Sequence, residues 1–321
     1  MPMLDVSPYI DTHLRPQQAA VRVYMQQHAP KDWPLFAKIL ATTTQSPLGP
    51  MSILPLAACA AVGGQPHTAV PAAAAWEAAN IAMRILDNAQ DDDKQGTLRA
   101  QFGWERAVNV STGFSVWIFE LLSHAEWPAG KARQIIKEFS HAGLQLLAGQ
   151  DNDLENLPRD LEESWGLMAA KNGAAFSLAC VAGGYCGDAE YGEMRCLRAY
   201  GLHLGILLQV FDDLEGIWFP EGKSDLERGK VTFPLVHGLL GNHAGKEELQ
   251  EIVASGQLAA KAARAKELLD AAGTRDFLLW TAQQERTRAI SFLDQLPPTS
   301  GTQVLRAYLE SIFSQAQGMR K

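Results

Sequence analysis

The chain has 321 residues, with 28 Lys or Arg against 36 Asp or Glu, so its formal net charge is −8. Hydrophobic residues make up 47% and charged residues 20% of the sequence, which excludes a wholly disordered chain. The acidic balance argues against a nucleic-acid-binding protein, because such a protein needs a basic face to neutralise phosphates. The four cysteines form no CxxC pair, so we expect buried free thiols rather than a zinc site or a disulfide framework.

The N-terminal segment does not resemble a targeting sequence. Residues 1–22 carry charges and prolines and lack a continuous apolar core. No uninterrupted apolar run of about 18 residues follows, so we expect no transmembrane segment. These features predict a cytoplasmic location.

Apolar residues recur at helical spacing through most of the chain, and no period-2 segment of useful length interrupts them. Breakers such as Gly63-Gly64, Trp127-Pro128 and Gly183-Gly184 divide the pattern into roughly eleven or twelve helices. No composition shift or repeat marks a linker. The sequence therefore predicts one all-α domain over residues 1–321 with a single core.

The first acidic cluster follows the apolar segment Ile81–Leu86. Asp87 and Asp91 are four residues apart, which places both carboxylates on one helical face. Like charges at this spacing destabilise an isolated helix by a few tenths of a kcal/mol. A bound cation would offset that repulsion.

The second acidic cluster begins with Asp212 and Asp213 and includes Glu215, after the apolar segment 205–211. Carboxylates near a helix C-terminus oppose the helix dipole, which is again unfavourable without compensation. Oxygen ligands of this kind suit Mg²⁺, which prefers few carboxylates, retained waters and phosphate oxygens. The alternative is that each cluster is an ordinary solvated helix end.

The residues around both clusters resemble the trans-isoprenyl diphosphate synthase family, also called the polyprenyl synthetases. Asp87–Asp91 is similar to the family's first motif, Asp-Asp-x-x-Asp, with Asn at its second position. Gln209–Asp213 matches the second motif, Gln-x-x-Asp-Asp. Further similar segments follow in the family's order, so the resemblance covers most of the chain. These segments are Gly149–Leu154, Lys171–Gly173, Tyr200–Gly205, Asp225–Leu235 and Leu293–Leu309.

The resemblance implies an all-α isoprenoid synthase fold, a helical bundle around a deep central cavity, usually in a homodimer. It implies about three Mg²⁺ ions that bind an allylic prenyl diphosphate. By motif position, the metal ligands would be Asp87, Asp91 and Asp212, with Asp213 and Glu215 as helpers. Lys171 and Lys230 would contact the diphosphate, and Gln209 and Asp153 would orient the bound groups.

The sequence departs from the family where the second substrate, isopentenyl diphosphate, would bind. Chain-elongating members carry Gly-Gly-Lys-Arg-x-Arg-Pro before the first aspartate helix, whereas residues 45–55 here contain no Lys or Arg. The family's Arg-Arg-Gly after the first motif is replaced by Lys94-Gln95-Gly96. Each lost charge-assisted contact is worth roughly 1.5–3 kcal/mol, so we expect elongation to be weak or absent.

Three interpretations remain open at the level of sequence. In the first, the protein ionises an allylic diphosphate and cyclises or quenches the product, as a terpene synthase does. In the second, it transfers the prenyl group to another acceptor, as bacterial relatives that prenylate a tryptophan of a peptide do. As a third interpretation, it is a non-catalytic subunit that modulates a partner synthase.

The helix before Asp87 bears on substrate length. In this family the fourth and fifth residues before the first Asp limit the cavity, and here they are Met83 and Ala82 rather than aromatic residues. The next large side chain is Trp76, roughly 16 Å up the helix at about 1.5 Å per residue. The resemblance therefore implies a substrate of about C15–C20, unless Trp76 points into another part of the core.

Overall fold

The computed structural model describes residues 14–44, 50–90, 97–157, 160–220 and 222–317. These residues form helices and no strand, which confirms the all-α prediction. They contain fifteen α-helices, more than predicted, because short helices such as that at Leu98–Phe102 give too few residues for a periodic pattern. The helices are α1 (Arg15–Gln27), α2 (Pro34–Thr43), α3 (Leu54–Ala61), α4 (Val70–Gln90), α5 (Leu98–Phe102), α6 (Trp104–Ser123), α7 (Ala129–Leu154), α8 (Leu161–Met168), α9 (Ala174–Cys186), α10 (Tyr191–Trp218), α11 (Phe233–Leu240), α12 (Lys246–Ala254), α13 (Ala262–Ala271), α14 (Thr274–Leu293) and α15 (Ser300–Gln317).

Helix α9 lies in the centre of the described core. Its sequence is apolar on all sides, as expected of a helix that is covered all round, and residues 176–184 are all buried. Helix α10 packs along α9 and, on another side, along α14. Helix α4 packs along α6 and also contacts α9, so α4 and α10, the two long helices that carry the acidic clusters, belong to one continuous core.

The prediction that Gly183-Gly184 breaks a helix is wrong, because both glycines lie inside α9. A β-carbon at position 183 would overlap with the carbonyl oxygen of Pro55. Glycine at this position permits α9 and α3 to approach backbone to backbone. The glycine at position 183 therefore marks a close contact between two helices and not a turn of the chain.

Aromatic residues of α2 and α6 form a compact part of the core. Phe36 stacks on Phe114 with ring centroids 4.0 Å apart, and Trp117 meets Phe36 edge-on at 5.1 Å. The four cysteines are buried and free, as expected. Among the described helices, none is long and apolar enough to cross a membrane.

Candidate active site

The second acidic cluster lies in the C-terminal half of α10. Most residues of this helix between Tyr200 and Phe211 are buried, and the chain remains helical through Trp218. The side chain of Asp213 faces the interior and is 5% exposed, whereas Asp212 opens towards the adjacent cleft. The helix thus brings one covered and one accessible carboxylate to the same place.

Lys171 lies in a π-helical turn, Ala169–Gly173, between α8 and α9. Gly205 of α10 faces this turn, and a β-carbon there would overlap with the carbonyl oxygen of Asn172. The glycine therefore allows α10 to lie directly against the π turn. Irregular turns of this kind are frequent at functional sites.

A chain of amide hydrogen bonds connects the π turn to the buried carboxylate. Asn172 Nδ2 donates to Gln209 Oε1 at 2.6 Å, and Gln209 Nε2 donates to Asp213 Oδ1 at 2.9 Å. Because Asn172 uses the carbonyl end of Gln209, the amino end must face Asp213. The arrangement fixes the orientation of the Gln209 amide.

The C-terminal end of α7 contributes to the same site. Asp153 accepts an ion-paired hydrogen bond from Lys171 Nζ at 2.6 Å. One turn earlier, the buried Gln150 donates through Nε2 to Gln90 Oε1 at 2.9 Å. Gln90 ends α4, so this bond holds the end of α7 against the helix that carries Asp87.

Lys230 lies in a loop, residues 224–232, which we call the Lys230 loop. The N–H of Asp225 donates to the Gly216 carbonyl of α10 at 3.0 Å, and the N–H of Lys230 donates to the Asp225 carbonyl at 2.9 Å. Leu226 is 1% exposed and anchors the loop in the core. The loop therefore lies against the helix that carries Asp212.

These elements surround one pocket of about 440 Å³. Seven of the residues predicted from the motifs line it, so the fold brings together groups that lie up to 143 positions apart, from 87 to 230. The seven are Asp87, Asp153, Lys171, Gln209, Asp212, Asp213 and Lys230. Its walls also contain apolar side chains, which include Leu167, Met168 and Phe233.

The pocket is strongly acidic. Burial raises the pKa of Asp213 to about 8, and repulsion from Asp225, Asp212 and Asp153 adds to this shift against the lowering effect of the Gln209 hydrogen bond. Burial in the cleft, with repulsion from Glu215 and Asp225, raises the pKa of Asp212 to about 6, although its side chain reaches solvent. Five aspartates line the pocket against two lysines, so a cation bound here would be strongly favoured.

The donor set fits Mg²⁺ in its chemistry, because the pocket offers carboxylate oxygens and no thiolate or imidazole ligand among its described lining residues. Within the described ranges, no three acidic, His or Cys side chains form a ready-made metal site. Mg²⁺ takes one or two carboxylates and completes its shell with water and phosphate oxygens. Asp87, Asp212 and Asp213 are the residues that would hold it.

Several predicted residues are not brought to the pocket. Trp76, Ala82 and Met83 do not line it, and Trp76 is 1% exposed, packs edge-on against Phe176 and donates to the Met51 carbonyl at 3.3 Å. Glu215 lies beside Asp212 but outside the lining. Three predicted features lie wholly or partly outside the described residues: Asp91, the segment 94–96, and positions 45–49 of the Lys- and Arg-free segment.

Seven polar residues of the pocket were not predicted as site residues: Gln150, Asn152, Asn156, Ser164, Asn172, Asp225 and Thr232. Asn172, Asp225 and Thr232 stand at positions of the matched motifs, but the resemblance assigned no role to them. Asn156 lies just beyond the segment that ends at Leu154. Its one sequence signal is the residue type, because Asn adopts the left-handed backbone conformation more readily than most residues, and its φ is 51°.

The helical fold and the carboxylate–lysine pocket define an isoprenoid-synthase-type protein, and comparison with known proteins identifies the family. A family model described as polyprenyl synthetase matches residues 50–272. The chain belongs to the polyprenyl synthetase family, which confirms the resemblance seen in the sequence.

Individual relatives agree with this assignment. The chain is 31% identical over 207 residues to geranylgeranyl pyrophosphate synthase 4 of Arabidopsis thaliana, covering 58% of this chain and 55% of that protein. It is 28% identical over 262 residues to (2E,6E)-farnesyl diphosphate synthase of Mycobacterium tuberculosis, covering 74% and 71%. The chain thus spans just over half the length of the plant relative.

A solved structure shows the same fold over nearly the whole chain. It is the polyprenyl synthase of Caulobacter crescentus, complexed with calcium and isoprenyl diphosphate, with a TM-score of 0.84 and 20% identity. The match covers 98% of this chain and 99% of that chain. This confirms the isoprenoid synthase fold.

Proposed function

We propose that this protein is a Mg²⁺-dependent prenyltransferase of isoprenoid metabolism that acts on an allylic prenyl diphosphate. The observation that carries the proposal is the pocket in which carboxylates of α4, α7 and α10 meet Lys171 and Lys230. The relatives named as geranylgeranyl and farnesyl diphosphate synthases support the same reaction class. The described residues include every diphosphate-binding group that the motifs predict there, and this argues against a non-catalytic subunit.

The chemistry assigned to each residue follows from the charge that develops when an allylic C–O bond breaks. Negative charge grows on the departing diphosphate, and the two lysines stabilise it through charge-assisted hydrogen bonds. Bound Mg²⁺ would add Lewis-acid stabilisation of the same oxygens. Gln209 faces the pocket with its amide orientation fixed, and the apolar walls exclude water from the carbocation.

We further propose that elongation with isopentenyl diphosphate is weak or absent. The support is the sequence of residues 45–55, which lacks every Lys and Arg of the family motif. A diphosphate normally meets several cations, so an acceptor that carries no diphosphate fits this chain better. The allylic substrate is expected near C15–C20 on the sequence alone, because the two positions that limit the cavity in this family carry Met83 and Ala82 and no aromatic residue, although neither lines the pocket described above.

A homodimer is also part of the proposal. Helices α6 and α7 contact each other and expose six large apolar side chains, a composition typical of a protein interface. These side chains are Trp104, Val116, Phe119, Leu144, Leu147 and Leu154, at 50%, 65%, 39%, 70%, 51% and 48% exposure.

The test of function is diphosphate release from geranyl, farnesyl and geranylgeranyl diphosphates with Mg²⁺, with and without isopentenyl diphosphate, and with mass analysis of the extracted products. We expect release from the C15 or C20 substrate without isopentenyl diphosphate, and loss of release in Asp212→Asn. Asp276→Asn, which changes an exposed aspartate on α14, is the matched control and should retain activity.

Each contrary outcome is informative. Elongated products that form only with isopentenyl diphosphate would overturn the proposal of weak elongation. A strong preference for geranyl diphosphate would overturn the C15–C20 assignment. Absence of release from every substrate, with and without isopentenyl diphosphate, would favour the non-catalytic subunit.

A further inference from the structure

We propose that Asn156 is a positioning residue that fixes the backbone on both sides of Lys230, so that the Lys230 ammonium group is placed for a diphosphate before the diphosphate binds. This inference rests on the proposed function, because it assumes that the pocket binds a diphosphate. Asn156 lies between the end of α7 and the start of α8 and lines the pocket. In the sequence it lies 73 positions before Gly229 and 75 positions before Val231, the two residues of the Lys230 loop that it contacts.

The side-chain amide of Asn156 pairs with the loop as a peptide group would. Its Nδ2 donates to the Gly229 carbonyl at 2.8 Å, and its Oδ1 accepts from the Val231 N–H at 2.7 Å. The two bonds bracket Lys230, which is the residue between these partners. A side chain that engages the backbone before and after a residue restricts both adjacent peptide planes.

The backbone of Asn156 shows that this contact is maintained against strain. Its φ is 51°, and only one other non-glycine residue of the described chain, Asp188, has a positive φ. A residue is retained in this conformation when the surrounding structure over-determines it. At position 156 these surroundings include the two side-chain bonds to the Lys230 loop and a backbone bond in which the Asn156 N–H donates to the Asp153 carbonyl at 3.0 Å.

The rest of the loop is fixed on its other side. Asp225 bonds to Gly216 of α10, and Leu226 is buried, so the first part of the loop follows α10. Gly229 has a φ of 71° and turns the chain just before Lys230. Asn156 therefore acts where the loop leaves α10, at the position of the lysine itself.

The same end of α7 serves both pocket lysines. Asp153 pairs with the Lys171 ammonium group, and Asn156, three residues later, holds the backbone of Lys230. One short segment thus sets the separation of the two cations across the pocket. Positional errors of about 1 Å in such groups reduce the stabilisation of a bound anion and of the transition state.

The decisive variant is Asn156→Gly, which removes both side-chain bonds and also the strain of the positive φ. We expect the affinity for inorganic pyrophosphate with Mg²⁺, measured by calorimetry, to fall roughly tenfold. A loss of this size corresponds to the net contribution of about one hydrogen bond. We expect little change in the unfolding midpoint, because glycine accepts the backbone conformation. Asp188→Gly, at the other non-glycine position with a positive φ, lies just beyond the C-terminal end of α9, where Asp188 pairs with Lys131, and should leave the affinity unchanged.

A second measurement separates positioning from a merely structural role. In the Lys230→Met background, Asn156→Gly should have no further effect on pyrophosphate affinity, because its action passes through Lys230. Hydrogen exchange gives an independent readout, since the Val231 amide should exchange faster in Asn156→Gly than in the unmodified protein.

The outcomes distinguish this inference from the proposed function. Unchanged pyrophosphate affinity in Asn156→Gly, or an equal loss in the Lys230→Met background, would overturn the positioning role while leaving the function intact. Failure of the unmodified protein to bind Mg²⁺ with pyrophosphate would overturn the function and the inference together.

Discussion

Two buried glutamates show how differently one residue type behaves according to its partners. Glu77 on α4 is 8% exposed, and burial raises its pKa against the opposing effect of Arg84. Glu285 on α14 is 0% exposed, but it pairs with Arg288 at 2.7 Å and with the ring of His203 at 2.7 Å. The buried charge of Glu77 is therefore poorly compensated, whereas the buried charge of Glu285 is well compensated by its two partners.

We predict that Glu77→Gln stabilises the protein at pH 8. The raised pKa means that the folded state carries an unfavourable charge above that pKa, and this cost disappears as the pH falls towards the unfolded value of about 4.3. Thermal unfolding should therefore show a higher midpoint for the variant at pH 8 and a smaller difference at pH 5. A variant that is less stable at pH 8 would contradict this reading of Glu77.

The matched control is the same substitution at the compensated site. Glu285→Gln removes the charge that pairs with Arg288 and with the His203 ring, so it weakens both contacts of this buried carboxylate. Its midpoint should fall at pH 8, opposite in sign to Glu77→Gln.

At the scale of elements, the contact between α10 and the π turn positions the site. Glycine is needed at 205 because the carbonyl of Asn172 occupies the space of a β-carbon. The π turn, in turn, carries Lys171 towards Asp153. A local feature of one helix thus determines where a cation of another element lies.

We predict that Gly205→Ala displaces the π turn, lowers stability by about 1–3 kcal/mol and reduces turnover by tenfold or more. Gly192→Ala on the same helix is the control, because nothing lies within 4 Å of its added β-carbon. In that exposed helical position alanine should raise stability slightly. Chemical denaturation and diphosphate release measure both effects, and a Gly205→Ala protein with normal activity would refute the positioning role of this contact.

At the scale of the whole molecule, the apolar surface of α6 and α7 bears on assembly. We predict that Val116→Asp together with Leu144→Asp converts a homodimer to a monomer, because a charge in an apolar interface remains unpaired. Sedimentation of the unmodified protein and the variant measures this. Trp280→Asp, at a 60% exposed position on α14, is the control and should leave the mass unchanged. A double variant that remains dimeric would exclude this surface as the interface.

The sequence predicted the helical class and most of the pocket, because both depend on patterns that are local in the chain. Helical periodicity predicts helices that include the apolar segments 81–86 and 205–211, and the acidic residues that follow these segments stand out against apolar surroundings, although the second helix continues to Trp218. The ordered motifs then predicted the family and seven described pocket residues. Short helices such as α5 and helical glycines such as Gly183 were misread, since a pattern needs several turns and a glycine's role depends on its neighbour in space.

By itself, the sequence determined which chemical groups this protein possesses and which cations of its family it lacks. Tertiary structure decided how those groups are supported: Asn172 orients Gln209, Asp153 pairs with Lys171, and Asn156 holds the Lys230 loop. These partners are up to 75 positions apart, and their contacts arise only when α7, the π turn and α10 pack together. The physical reason is that a hydrogen bond between distant side chains leaves no periodic trace in the chain, whereas burial of a helix face does.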